Sequence, residues 1–192
     1  MPIPAPDETD SQWHANLDAD VLFAAVGRAL SAWEHLESIL AIIYSALVGK
    51  PRQLPAMQRY RLNRPGLDAR LKGLTVALDE YCPTSPSQDA EAQLKSEIAI
   101  ILNRVECLKP WRNHVAHGIV QTSASHTFND ANEITTHVAS ALWAPMYAIP
   151  VFLKEGVNLK PCGSKKALWY AANFNEVSAA ASAICLRLCG PG

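Results

Sequence analysis

Apolar residues recur every three or four positions from Leu22 onward. Leu22, Val26, Ala29, Leu30, Trp33, Leu36, Leu40, Ile43 and Leu47 mark one stripe sustained over about seven helical turns. This spacing predicts a long amphipathic first helix. Asn16 or Asp18 can cap its start. Gly49 and Pro51 stop it, because glycine accepts the left-handed C-terminal conformation and proline cannot continue the ladder. A proline- and arginine-rich loop is expected next, and then Pro65 precedes Leu67, Leu71, Leu74 and Leu78, which predict a second helix ending near Cys82 and Pro83. Ser85-Pro86-Ser87-Gln88 combines an N-cap serine, a first-position proline and a glutamine three residues on, an arrangement that satisfies orphan amides. The third helix it opens carries Leu94, Ile98, Ile101, Val105 and Leu108 and runs to Gly118, with Pro110 expected to bend it.

From Ile119 to about Tyr170 the helical period is lost. Alternation replaces it in E-I-T-T-H-V-A-S and again in K-K-A-L-W-Y-A, with turn chemistry in N-D-A-N between Phe128 and Glu133. This segment predicts a small antiparallel sheet or hairpin. Asn173 and Glu176 repeat the capping-box spacing ahead of Val177, Ala180, Ala181, Ile184 and Leu188, the inward row of a last helix. The predicted fold is therefore mainly all-α: a four-helix bundle with a β-hairpin or small sheet inserted between helices three and four. Residues 1–16 are expected to be a flexible lead-in, and 17–192 a single domain with its β excursion at about 119–171.

Composition narrows the setting. A chain of 192 residues, 49% of them hydrophobic, can bury a core without disulfides or metal. The formal net charge is -1, so nucleic acid would have to be held by a local patch rather than by a global basic field. Five cysteines, odd in number and without a C-x-x-C pair, argue against a disulfide framework and a zinc ribbon and suit reduced thiols in the cytoplasm. The apolar stretch Ile39 to Val48 is half of what a bilayer span requires, about 20 residues, so no membrane partner is expected.

The chemistry concentrates in C-L-K-P-W-R-N-H-V-A-H-G, residues 107–118. Carried forward by sevens, one seam row of the third helix reads Ile98, Val105, Arg112 and Ile119, which puts Arg112 on the apolar stripe. A guanidinium there must be paired or must face a partly wet surface, because an unpaired buried charge costs several kcal/mol. Glu34 and Glu37 are candidate partners. Asn113 and His117, four apart, share a face beside that of Arg112, while His114 points roughly the other way. Arginine, amide and imidazole together suit phosphodiester cleavage. A histidine exchanging protons near neutral pH can serve a ribose 2'-hydroxyl or a leaving oxygen, and arginine holds the phosphate and its developing charge. No metal or other cofactor is required. The alternative is a structural ion pair and a helix-terminal histidine meeting the free carbonyls.

Arg112-Asn113-His114-Val115-Ala116-His117 resembles the R-x4-H signature, with a polar residue after the arginine, of the HEPN superfamily (higher eukaryotes and prokaryotes nucleotide-binding domains). Gly118 and the S-A-W-E-H-L-E of residues 31–37 are similar to bacterial members. The resemblance implies a four-helix bundle, a homodimer whose motif helices meet and, in active members, a metal-independent endoribonuclease. It gives Arg112 and His117 the catalytic positions and Asn113 a supporting one. The functional expectation is a ribonuclease, a toxin or defence effector with a cognate antitoxin or partner protein. The alternative is a non-catalytic dimer of the same kind that binds protein, RNA or nucleotide.

Residues 50–72 hold seven of the seventeen basic side chains, with Asp68 as the only acid. Arg59, Arg61 and Arg64, with Tyr60 interleaved, are candidates for holding an RNA backbone through phosphate contacts and stacking. The opposing reading has these arginines paired with acids elsewhere. Trp33 reads as core or as interface anchor, Trp111 as packing, and Cys107 as a small buried hydrophobe. His114, His117 and Cys107 do not fit a zinc spacing. The chain has no G-x-S-x-G, glycine-rich phosphate loop or H-E-x-x-H.

Overall fold

The structure, a computed structural model, describes residues 18–62, 66–81, 88–128, 133–143 and 161–189. The chain is mainly helical, with 75% of the described residues in five helices and a two-stranded antiparallel sheet beside them. In chain order these are α1 (Ala19–Leu47), α2 (Leu54–Leu62), α3 (Leu67–Asp79), α4 (Gln88–His117), β1 (Ile119–Phe128), β2 (Ile134–Trp143) and α5 (Ser164–Cys189).

α1 begins as its sequence directs. Asp18 Oδ1 accepts a 2.8 Å hydrogen bond from the Asp20 amide, filling one of the orphan donors of the first turn. Its stop is also the expected one, with Gly49 at a φ of 70°, a conformation that costs a residue without Cβ nothing. α3 buries all four predicted leucines, Leu67, Leu71, Leu74 and Leu78. α4 runs unbroken through Pro110. Asn16, Pro65 and the Ser85-Pro86-Ser87 start lie outside the described residues, as does the N-D-A-N turn.

Three expectations are corrected. The arginine-rich stretch after Pro51 is not all loop, because Ala56 and Tyr60, four apart, bury one face of α2. K-K-A-L-W-Y-A is not a strand: residues 165–171 lie in α5, where Ala167, Tyr170, Ala171 and Phe174 are buried at helical spacing. Among the described residues the β excursion is thus β1, β2 and a single bridge between Leu142 and Cys162. Asn173 is consequently no cap but a buried residue in mid-helix, its Nδ2 donating to the Trp169 carbonyl one turn back.

The residues group into two compact units, each built from two stretches of chain. Unit 1 holds residues 1–33 and 108–174. Its described core includes Leu22, Ala29, Trp33, Leu108, Val115 and Phe174, with Trp33 and Phe174 meeting edge to face at 5.1 Å. The β ribbon belongs to this unit. Its strands pair in register from Ile119 with Trp143 to Phe128 with Ile134, and only Ser140, Ala141 and Leu142 at its base are buried.

Unit 2 holds residues 34–107 and 175–192. Its core draws on Leu36, Leu40, Ile43, Leu74, Ile98, Val105, Val177 and Ile184. Glu37, only 2% exposed, is buried with Arg70 at 2.6 Å. Arg104 pairs with Glu176 at 2.8 Å, and Arg187 with Glu97.

Candidate functional site

The end of α4 in unit 1 is fixed by its junction with β1. The Gly118 amide donates to the His114 carbonyl at 2.9 Å, closing the helix just after His117. A Cβ on Gly118 would lie 2.5 Å from that carbonyl oxygen and 2.7 Å from two atoms of the Leu142 side chain. Only glycine fits here, because β2 returns Leu142 onto the turn. Leu142 is itself held, exchanging backbone hydrogen bonds of 3.0 and 2.9 Å with Cys162.

On this junction sit the three residues singled out by spacing. Arg112 is half-buried, and its Nη1 donates to Asn113 Oδ1 at 3.1 Å and lies 3.4 Å from His117 Nε2. A guanidinium can only donate, so in this contact Nε2 is the acceptor. Among the described residues no carboxylate lies within ion-pair range of Arg112. The two proposed partners are engaged in unit 2, Glu37 with Arg70 at 2.6 Å and Glu34 with Arg61 at 3.4 Å. Arg112 therefore offers a cation whose Nε and Nη2 are uncommitted among these residues, next to an exposed imidazole. That set can bind an anion and exchange a proton beside it.

His114 turns away from this trio. Its Nε2 donates to the Leu142 carbonyl at 3.2 Å and its ring lies 6.3 Å from that of Tyr170. Burial holds its pKa below the ordinary histidine value; the hydrogen bond to Leu142 opposes that shift and Lys166 adds to it. Trp111 stacks on Tyr170 at 5.2 Å and meets Trp169 at 4.3 Å, so it packs, as expected. Burial raises the Tyr170 hydroxyl as well, and pushes the Cys162 thiol up to about 12. Cys107, expected inside, is exposed, because the buried row Ile101, Val105 and Leu108 leaves it on the outward side with Glu106.

The basic stretch comes out differently from its sequence reading. Tyr60 is fully buried, 5.5 Å from Tyr44, and cannot stack a base. Arg61 and Arg70 have acidic partners, as the opposing reading had it. Arg59 is exposed, and Arg64 lies outside the described residues. Among the described residues no three His, Cys, Asp or Glu side chains gather to hold a metal ion, and no helix is long and apolar enough to cross a membrane.

Spacing alone brought Arg112, Asn113 and His117 together. What it missed is the Leu142 support, 28 residues from His114, for which the local sequence carries no sign except the glycine at 118. Compared with protein families, curated proteins and solved structures, the chain matches none of them.

Proposed function

We propose that this chain is a metal-independent endoribonuclease of the HEPN kind, a four-helix bundle that acts as a homodimer with its site where the two α4 ends meet. The observation that carries the reading is the half-buried Arg112 guanidinium, without a carboxylate among the described residues, in contact with both Asn113 and His117. The resemblance of Arg112 to His117 to the family signature adds to it.

In this reading an RNA phosphate takes the free edge of Arg112. The guanidinium moves to the phosphate oxygens and releases His117 Nε2, whose lone pair accepts the proton of the ribose 2'-hydroxyl. The 2'-oxygen attacks phosphorus, the P–O5' bond breaks, and the leaving oxygen takes a proton from the protonated histidine of the second protomer. The products are a 2',3'-cyclic phosphate and a 5'-hydroxyl. Asn113 holds the guanidinium in place, and Arg112 carries the charge that grows on the phosphoryl oxygens. A toxin or defence effector restrained by a cognate antitoxin is the setting this activity suits.

The test is cleavage of mixed cellular RNA in EDTA by wild type, His117→Ala and Arg112→Lys, with folding matched by circular dichroism. Loss of the proton-transfer group should cost about 10² to 10⁴ in rate. Arg112→Lys should also be slow, because an ammonium lacks the planar fork. A folded wild type that leaves RNA intact would sink the enzyme and favour the second reading, a non-catalytic binding module. The exposed Phe128, Ile134 and Val138 along one face of the ribbon favour that reading, since they offer a partner an apolar row.

A further inference from the structure

Within unit 2, α1 and α2 flank a groove of about 360 Å³ whose apolar walls are Ala41, Leu54, Met57 and Leu62, with Ser38, Gln58 and Arg61 as polar groups. We propose that this groove binds a small amphipathic monoanion: an apolar body, no larger than a medium-chain acyl or bicyclic aryl group, carrying one carboxylate.

Three observations converge on that ligand class. The volume and the mainly apolar lining with few polar groups are those of small-molecule sites, which run from about 300 to 1,000 Å³. Leu54 and Leu62 remain 62% and 74% exposed at the two ends of a nine-residue helix, a pairing that wastes apolar surface unless something covers it. The charge is the third. Residues 50–62 carry Lys50, Arg52, Arg59 and Arg61 and no acid, and even with Glu34 of α1 paired to Arg61 the stretch keeps an excess of positive charge that favours an anion.

Arg61 is placed to receive the carboxylate. Its Nη2 is spent on Ser38 Oγ at 3.1 Å and Glu34 at 3.4 Å, while Nε and Nη1 have no partner among the described residues. Each of these groups can donate one charge-assisted hydrogen bond to a carboxylate oxygen. A polyanion such as RNA fits less well. It needs a row of free cations and an aromatic face, yet Arg70 is committed to Glu37, Tyr60 is buried, and exposed leucines give a phosphate chain nothing. The site is separate from Arg112, Asn113 and His117 and does not depend on the ribonuclease reading.

The experiment is isothermal titration of the full chain with decanoate, below its micelle-forming concentration, with decanol as the neutral control. Decanoate should bind saturably at one site per chain, with decanol weaker. Arg61→Gln should weaken decanoate about tenfold and leave decanol unchanged, as loss of one charge-assisted pair would. Leu54→Ser/Leu62→Ser, which alters only exposed side chains, should weaken both ligands while the circular dichroism spectrum stays the same. Absence of saturable binding, equal decanoate affinity in Arg61→Gln, or equal binding of decanol would each overturn the proposal. So would an RNA oligonucleotide or acidic helical peptide that binds through Arg61 where decanoate does not.

Discussion

Gly118→Ala places one methyl group where the helix of the candidate site turns into the ribbon. The added carbon would stand 2.5 Å from the His114 carbonyl oxygen and 2.7 Å from Leu142 Cγ and Cδ1, well inside van der Waals contact. Neither neighbour can retreat freely. The carbonyl accepts the Gly118 amide at 2.9 Å, and Leu142 is tied to Cys162 by two backbone hydrogen bonds and to His114 by a third. Overpacking of this kind costs about 1–3 kcal/mol, and weakening the capping hydrogen bond adds about 0.5–1.5 kcal/mol, so the expected loss is roughly 2–4 kcal/mol. For a chain of this size that lowers Tm by roughly 4–16 °C. Urea unfolding followed by circular dichroism measures it directly. If RNA cleavage is the activity, it should fall by about 10² even in the folded fraction, since the clash displaces His117 by an amount on the order of 1 Å. An alanine variant within about 0.5 kcal/mol of wild type would refute the reasoning, because the junction would then have slack that the geometry denies.

Arg70→Met should cost about 3–5 kcal/mol, because it removes the cation paired with a carboxylate that is only 2% exposed; adding Glu37→Leu should recover much of that, and a double-mutant cycle in urea that finds the two substitutions additive would contradict it. His114 has a folded pKa below its unfolded value of 6.5, so the unfolded chain binds the proton more readily. Stability is therefore complete above that value and declines as pH falls below it, by up to about 1.4 kcal/mol per pH unit, and His114→Gln should flatten the slope. With a thiol reagent at mildly alkaline pH, exposed Cys107 should react at once and buried Cys162, its thiol raised to about 12, only on unfolding; fast labelling of Cys162 in the native protein would show that the Leu142 bridge opens readily.

The parts of this fold that the chain declares openly are those where one physical pattern acts alone. α1 and α3 carry clean three-to-four spacing with a cap or a glycine stop, and they form where expected. The convergence of Arg112, Asn113 and His117 follows from helix geometry, because Asn113 and His117, four apart, share a face that the long side chain of neighbouring Arg112 reaches. α2 was hidden by its arginines, although Ala56 and Tyr60 kept a one-turn apolar pair and Pro55 suits a first turn. The start of α5 was hidden differently. Leu168, Trp169 and Tyr170 form a continuous apolar run in which a period of two is as visible as one of 3.6, and tertiary burial of Ala167, Tyr170 and Phe174 decided between them. The partners of Glu34 and Glu37 could not be read at all, since Arg61 and Arg70 reach them from 27 and 33 residues away in sequence.

The ribbon has a graded anchorage. Ten pairs join β1 to β2, but burial stops at Ser140, and beyond it each pair is held by little more than its ladder and cross-strand contacts such as His126 with Thr136 and Thr127 with His137. Fraying therefore starts at Phe128 and Ile134 and travels inward, and amide hydrogen exchange should slow step by step toward Leu142 rather than in one cooperative block. The last pairs to open are the ones that brace Gly118. Thermal unzipping of the outer ribbon thus dies out before it reaches the helix end that carries Arg112 and His117, and the two ends of the same hairpin live on different timescales.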